Sequence, residues 1–211
     1  MSEKKAVALT FDDGPNTVTT PAVIDMLEKY GVVASFFLVG NNINKESAEV
    51  VRRAFNMGCE INNHSRSHPA FPELTMEQMR SEVDFTTERI VEITGKQPAF
   101  FRPPYIAVSS EMFDCIDLTF IAGIGAEDWL PEVTAEMRAQ KILAQAKDGD
   151  IILLHDAEGN TPTVEALDRI IPSLKAQGYE FLTVTELFKA KGITPERGKV
   201  YTNVFQTEAY A

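Results

Sequence analysis

The sequence predicts an α/β fold, a parallel barrel of seven or eight strands in one domain spanning residues 1–211. Three observations carry the prediction. Short apolar runs alternate with amphipathic segments about seven times, and no hairpin signal interrupts them. No Gly-x-Gly-x-x-Gly and no Gly-Lys-Ser/Thr loop follows the first strand, which removes the main support for a nucleotide-binding open sheet. Residues with reactive side chains fall just after the apolar runs, where a barrel of parallel strands gathers its active site.

The elements follow in order. Val7 to Phe11 reads as a buried strand that stops at two adjacent carboxylates, Asp12 and Asp13, and a Gly14-Pro15 turn. Val23, Met26, Leu27 and Tyr30 recur at helical spacing and predict a helix over 17–30, which Gly31 ends. Residues 32–39 read as a second strand, 45–57 as a helix stopped by Gly58, and 59–63 as a third strand. Thr75 with Gln78 forms a capping box for a long helix to about 94, closed by Gly95. A brief strand at 99–101 and a short helix at 109–115 follow, then one strand over 118–124. Ala139, Ile142, Leu143 and Ala146 share a helical register over 135–146, and Asp150 to Leu154 is a strand. Thr161 as N-cap with Pro162 at the first helical position opens a helix to 177. The strand at 179–182 and the helix capped by Thr183 and Glu186 complete the pattern. The segment 192–211 carries Val200, Tyr201, Val204 and Phe205; it is expected to pack on the domain as a tail of unread conformation.

Composition narrows the function. With 44% hydrophobic residues, a chain of 211 can build one substantial core. A net charge of −11 excludes a phosphate-backbone partner, because no basic stripe exists to release counterions, and fits an anionic membrane surface poorly. A neutral or cationic substrate fits better. No run approaches ~20 apolar residues, so no membrane-inserted helix is expected. The start, Met1-Ser2-Glu3-Lys4-Lys5, lacks the apolar centre of an export signal. As written the chain reads as cytoplasmic, or as secreted if a signal was trimmed from a longer protein; a monomer is expected. Cys59 and Cys115 match no zinc spacing and read as buried free thiols, with a disulfide left open.

The chemistry accumulates at strand ends. Asp12 and Asp13 follow the first strand, His64 and His68 the third, Arg102 the fourth, Asp128 the fifth, and His155 the strand from Asp150. Adjacent carboxylates repel, and a cation between them is the simplest remedy. The three histidines of the chain all lie just after strands. His64-Ser65-Arg66-Ser67-His68 spaces two imidazoles at i, i+4, so a single helical turn would put both rings on one face to grip one ion. With a carboxylate from the first strand the set becomes Asp-His-His, three protein ligands for a divalent transition metal such as zinc, cobalt or nickel. One aspartate can ligate; the other can accept a proton from a water that the ion activates. Arg102 offers a fork to hold that second carboxylate ionised. His155 remains as general acid, with Asp128 orienting it and raising its pKa. Leu153, two residues earlier on the same strand, can wall a small apolar pocket. The residues alone stop at a metal-dependent hydrolase.

Five motifs taken together resemble the polysaccharide deacetylase family, the NodB-homology or family 4 carbohydrate esterases, over about residues 6–191. They are Thr10-Phe11-Asp12-Asp13-Gly14-Pro15, His64-Ser65-Arg66-Ser67-His68, Arg102-Pro103-Pro104-Tyr105, Gly125-Ala126-Glu127-Asp128-Trp129 and Leu153-Leu154-His155. The resemblance implies a distorted (β/α)7–8 barrel and hydrolysis of an acetyl group from a polysaccharide. It implies Asp12 as base held by Arg102, and Asp13, His64 and His68 as metal ligands. It implies the Tyr105 N–H as an oxyanion donor and His155 as acid tuned by Asp128. It also implies that Leu153 and Trp129 line the acetyl pocket, with Pro103 among the substrate contacts. Gly125 departs from the pattern, where members often carry an acid.

Within the family, 58–65, Phe101-Arg102-Pro103-Pro104 and 150–156 are similar to acetyl xylan esterase domains of cellulolytic clostridia, which implies O-acetylated xylan or xylo-oligosaccharides as substrate. N-deacetylation of chitin oligosaccharides or peptidoglycan is the alternative on the same site. An aspartate-nucleophile phosphatase is a remote one, because Gly14 stands where its second carboxylate belongs and the histidine pair goes unused. In a carbohydrate-binding module Trp129, Tyr105 and Phe71 could stack on sugars, but an acid, a base and a metal triad would have no purpose. Core packing is the plainer expectation for Phe71.

Overall fold

The computed structural model describes residues 4–208. Eight strands pair in parallel around a nearly closed barrel. They are β1 (Lys5–Asp12), β2 (Ser35–Leu38), β3 (Glu60–Asn63), β4 (Phe100–Phe101), β5 (Thr119–Ile121), β6 (Ile124–Gly125), β7 (Ile151–His155) and β8 (Tyr179–Phe181). The lateral order runs β6-β7-β1-β2-β3-β4-β5, while β8 pairs the first half of β1 below β7. Helices α1 (Thr19–Tyr30), α2 (Lys45–Asn56), α3 (Met76–Thr94), α4 (Ser110–Cys115), α5 (Ala135–Gln145), α6 (Thr161–Ala176) and α7 (Val184–Ala190) alternate with them.

Strand β1 shows how the sequence divides the core. Val7, Leu9 and Phe11 face the helical layer and join Ile24, Leu27, Ile170 and Leu174. Ala6 and Ala8 face the opposite way, with Phe37, Phe100 and Ile151, in a second cluster that Val184, Leu187 and Phe188 of α7 plug from below. Small residues on the inner face let the strands curl without a void. A third cluster under α3 and α4 buries Phe71, Phe101 and Phe120, so Phe71 is core and not a sugar platform.

The expected elements are present, and the departures have local causes. The expected strand over 118–124 is two strands, broken at Ala122-Gly123. There the carbonyls of Ile121 and Ala122 turn to accept hydrogen bonds from the Arg102 side chain at 3.3 and 2.6 Å. A Cβ at Gly123 would lie 2.8 Å from the Ile151 carbonyl oxygen, so the chain passes β7 there only because no side chain intervenes. Thr161 is the first helical residue of α6 and not its N-cap; Asn160 takes that place, yet its side chain makes no capping bond. The Asn160 amide serves Arg138 and the His155 carbonyl instead. Cys59 is buried and Cys115 half-buried, both as free thiols; burial pushes the Cys59 thiol up to about 11.

The tail takes a defined course. Val200–Asn203 forms β9, parallel to β5, and Gln206–Glu208 forms β10 against it. Asn203 bridges Asp150 at the entry to β7, and the Val204 N–H donates to the Gly149 carbonyl. Strand β9 thereby fills the seam between β5 and β7. Tyr201 is buried there, edge-on to Phe188 with centroids 5.0 Å apart, and its hydroxyl accepts from the Glu196 N–H. Tyr201→Ala is expected to destabilise the chain by about 3 kcal/mol through the cavity left at the seam. Urea unfolding measures this, and a loss under 1 kcal/mol would mean that the seam holds without the tail.

Candidate active site

The two strand ends that face one another are set by sheet register. Asp12 pairs with His155, and Thr10 with Leu153. In parallel strands such partners project to the same face, so Asp12, Leu153 and His155 all open on the C-terminal mouth. They line one cavity of about 550 Å³ with Asp13, His64, His68, Pro103, Tyr105, Ile106, Gly123, Gly125 and Trp129.

Arg102 is fully buried under this cavity. Its Nη1 donates to Asp12 Oδ1 at 2.5 Å, its guanidinium lies 4.2 Å over the Phe37 ring, and its Nε and Nη2 donate to the two β5-end carbonyls. A buried guanidinium needs such pairing at each nitrogen, since breaking one partner leaves an uncompensated charge. The Arg102 carbonyl in turn receives His64 Nδ1 at 2.6 Å. Its role as acceptor makes Nδ1 the protonated nitrogen and leaves the lone pair on Nε2.

His64 Nε2 lies 3.6 Å from Asp13 Oδ1, and His68 Nε2 lies 3.5 Å from the same oxygen. The ligand atoms of Asp13, His64 and His68 all fall within 4.8 Å of one another. Burial pushes the His64 imidazole below its ordinary range against the pull of Asp12 and Asp13, which keeps it neutral. One carboxylate oxygen and two imidazole nitrogens, one in a tautomer fixed from behind, fit a divalent transition metal.

The histidine pair is not on a helical turn. Ser65 and His68 both take positive φ, 70° and 60°. The loop is held by Asn63, whose Oδ1 accepts from the Ser65 N–H, and by Glu82, whose carboxylate accepts from the N–H groups of Arg66 and Ser67. Two left-handed residues fold the loop back so that the rings meet with centroids 4.8 Å apart. The i, i+4 spacing found the pair, but its geometry comes from strain held by hydrogen bonds. Asp13 and Tyr105 also have positive φ, at 74° and 60°.

Opposite stands the second half. Asp128 receives His155 twice, from Nδ1 to Oδ1 and from the backbone N–H to Oδ2, both at 2.8 Å. Burial pushes the Asp128 carboxyl up, but hydrogen bonds and charge from His155, with a bond from Thr163, outweigh it and hold the group below the usual carboxylate range. Burial likewise pushes His155 down, while the hydrogen bond and charge of Asp128, with the charges of Asp12 and Asp13, lift it to about 9. Trp129 stands edge-on to His155, its ring 5.5 Å away and 58% exposed; Tyr105, on the other flank, is 71% exposed and edge-on to His68.

Sequence reasoning passed over Asp156, Thr163, Asn160 and Arg138. Asp156 is buried beneath Gly14, with Oδ2 accepting from Thr20 and no partner for Oδ1 among the described residues; burial raises its pKa to about 7. A Cβ on Gly14 would lie 2.6 Å from Asp156 Oδ2, so the turn after Asp13 depends on glycine. The only signal for Arg138 was a cation on the apolar register of α5, beside Ala139 and Ile142.

A polysaccharide deacetylase family model matches residues 1–121. A bifunctional xylanase/deacetylase of Pseudobutyrivibrio xylanivorans is 48% identical over 202 residues, covering 95% of this chain and 33% of its own length. The chain thus spans a third of that relative. The Xyl-CE4 domain of a multidomain xylanase from the hindgut metagenome of Trinervitermes trinervoides superposes with a TM-score of 0.94. It shares 44% identity and covers 96% of this chain and 98% of its own. A family 4 acetyl xylan esterase from Clostridium thermocellum, in complex with a cobalt ion, gives 0.92 at 45% identity over 95% of this chain and 99% of its own.

The raised imidazole has a stability consequence. His155 ordinarily titrates at 6.5 and here at about 9. Its protonated form therefore stabilises the fold fully below 6.5, and that contribution is lost as pH rises through 9. In metal-free protein the melting gap between the parent and His155→Gln should be widest near pH 6 and nearly gone by about pH 10. A gap that widens with pH would contradict the Asp128 pairing.

Proposed function

The chain belongs to the polysaccharide deacetylase family, and from that premise we propose that its rim site removes O-acetyl groups from xylan or xylo-oligosaccharides. The observation that carries the chemistry is the register pairing of Asp12 with His155 across a cavity that also holds the Asp13, His64 and His68 donors. Support for xylan is the likeness to a xylanase/deacetylase and to an acetyl xylan esterase.

Asp13, His64 and His68 would hold one zinc or cobalt ion. When bound, such an ion polarises the acetyl carbonyl and acidifies a water. Asp12, kept ionised by Arg102, takes the proton of the attacking water as it adds to the carbonyl carbon. The developing oxyanion would be met by the Tyr105 N–H, a backbone donor in a turn closed by the Ile106 and Ala107 N–H groups on the Pro103 and Pro104 carbonyls. His155 gives the proton on Nε2 to the departing sugar oxygen, so acetate and a free hydroxyl result. Leu153 and Trp129 wall the acetyl methyl, and Pro103 and Tyr105 border the sugar.

Acetate release from acetylated xylo-oligosaccharides, with chitin oligosaccharides and peptidoglycan fragments in parallel, tests the reading. Asp12→Asn, which keeps an oxygen for Arg102, and His155→Ala should each lower turnover by at least ~10²-fold with an unchanged circular dichroism spectrum. Chelation should abolish turnover, and zinc or cobalt should restore it. Turnover of the N-acetyl substrates alone would replace the substrate, and undiminished turnover in either variant would refute the roles.

A further inference from the structure

Behind the His155–Asp128 pair lies a second buried arginine. Arg138 on α5 is 2% exposed and makes no direct ion pair with any carboxylate of the described residues. Its Nε donates to the Val133 carbonyl at 2.8 Å and its Nη2 to that of Leu130 at 3.4 Å. Its Nη1 donates to Asn160 Oδ1 at 2.5 Å and to Thr163 Oγ1 at 2.9 Å. Asn160 Nδ2 donates to the His155 carbonyl at 2.9 Å and also to Thr163 Oγ1 at 3.1 Å.

These bonds fix a proton. A threonine hydroxyl has two lone pairs and one hydrogen. Both lone pairs of Thr163 Oγ1 are taken, one by Arg138 and one by Asn160. The hydrogen can only go to Asp128 Oδ2, 2.7 Å away. Oδ2 thus carries the Thr163 hydroxyl and the His155 backbone N–H, and Oδ1 is left for the imidazole. We infer that Arg138 is a positioning residue for the proton donor: through Thr163 and Asn160 it locks the hydroxyl onto Asp128 and moderates the hold of that carboxylate on His155. The inference rests on the deacetylase reading for what the donor does, but not for the geometry.

The electrostatic consequence has a definite sign. A hydroxyl and a nearby cation stabilise the Asp128 anion and weaken it as an acceptor. Without them Asp128 binds the imidazolium more tightly and His155 becomes a weaker acid. The groups facing His155 are Asp128 on the loop after β6, Asp12 and Asp13 at the end of β1, and the His64 and His68 rings across the cavity, with Asp156 next in the chain. Arg138 itself faces Asp128 and Glu165 of α6. None of these but Arg138 opposes the proton from behind the carboxylate.

Four variants of the full chain test this: Arg138→Met, Arg138→Lys, Thr163→Val and Thr163→Ser. The first readout is the His155 titration by imidazole NMR in metal-free protein, its signals assigned by their loss in His155→Gln. The midpoint should rise by about half a unit or more in Arg138→Met and Thr163→Val, and stay near the parent in Thr163→Ser, with Arg138→Lys between. The second is acetate release by metal-loaded protein. There kcat should fall about threefold or more in Arg138→Met and Thr163→Val with KM within about twofold, and Thr163→Ser should recover most of it. Midpoints and kcat matching the parent in folded Arg138→Met and Thr163→Val would overturn the inference. Should Arg138→Met fail to fold, the Thr163→Val and Thr163→Ser pair decides it alone. If the parent releases no acetate from any substrate, the deacetylase reading fails, while the NMR titration still decides the role of Arg138.

Discussion

The structure depends on the burial of one guanidinium. Arg102 sits where the barrel opens, with no access to solvent, and each group around it answers a demand of its charge. Asp12 supplies the counter-ion, Phe37 the π face, and Ile121 and Ala122 the carbonyls. Those last two bonds interrupt a strand that the sequence would otherwise continue. The same residue's backbone carbonyl fixes the tautomer of His64. An ion pair of this kind gains little net stability over a hydrophobic filling. What it secures is a single arrangement of Asp12, His64 and the end of β5.

The acid half repeats the solution with different parts. There the carboxylate, Asp128, is buried, and its charge is met by three donors rather than by a direct arginine contact. The guanidinium stands one hydroxyl further back. In the proposed reaction the two halves differ in what they would do with a proton. In the proposed reaction a base is best held ionised, and the strong direct pair with Arg102 would suit Asp12 to that part. The proposed donor would have to give its proton up, and an unopposed carboxylate beside His155 would hold it too well.

Much of this was legible in the chain. Apolar period, caps such as Thr75 with Gln78, and terminating glycines marked the strands and helices because those signals are local. The reactive residues were legible because each is a polar group placed directly after an apolar run. What escaped notice is long-range. Strand β9 exists through pairing with β5, some eighty residues away, and nothing in Val200-Tyr201-Thr202-Asn203 alone announces a partner. The break at Gly123 is imposed by Arg102 across the barrel. The turn of Ser65 and His68 into left-handed backbone is imposed by Asn63 and Glu82. Arg138 showed only as a charge out of place on an apolar stripe.

The separation of Asp12 from His155 is fixed by the hydrogen-bond ladder of two adjacent strands, β1 and β7. A ladder has one spacing, and it does not change when the connections above it are lengthened, shortened or exchanged. The proposed substrate contacts, Tyr105 and Trp129, stand on those connections, exposed and apart from the ladder. Descent with altered loops can therefore carry this pair of groups onto new polymers while its reacting geometry is inherited intact.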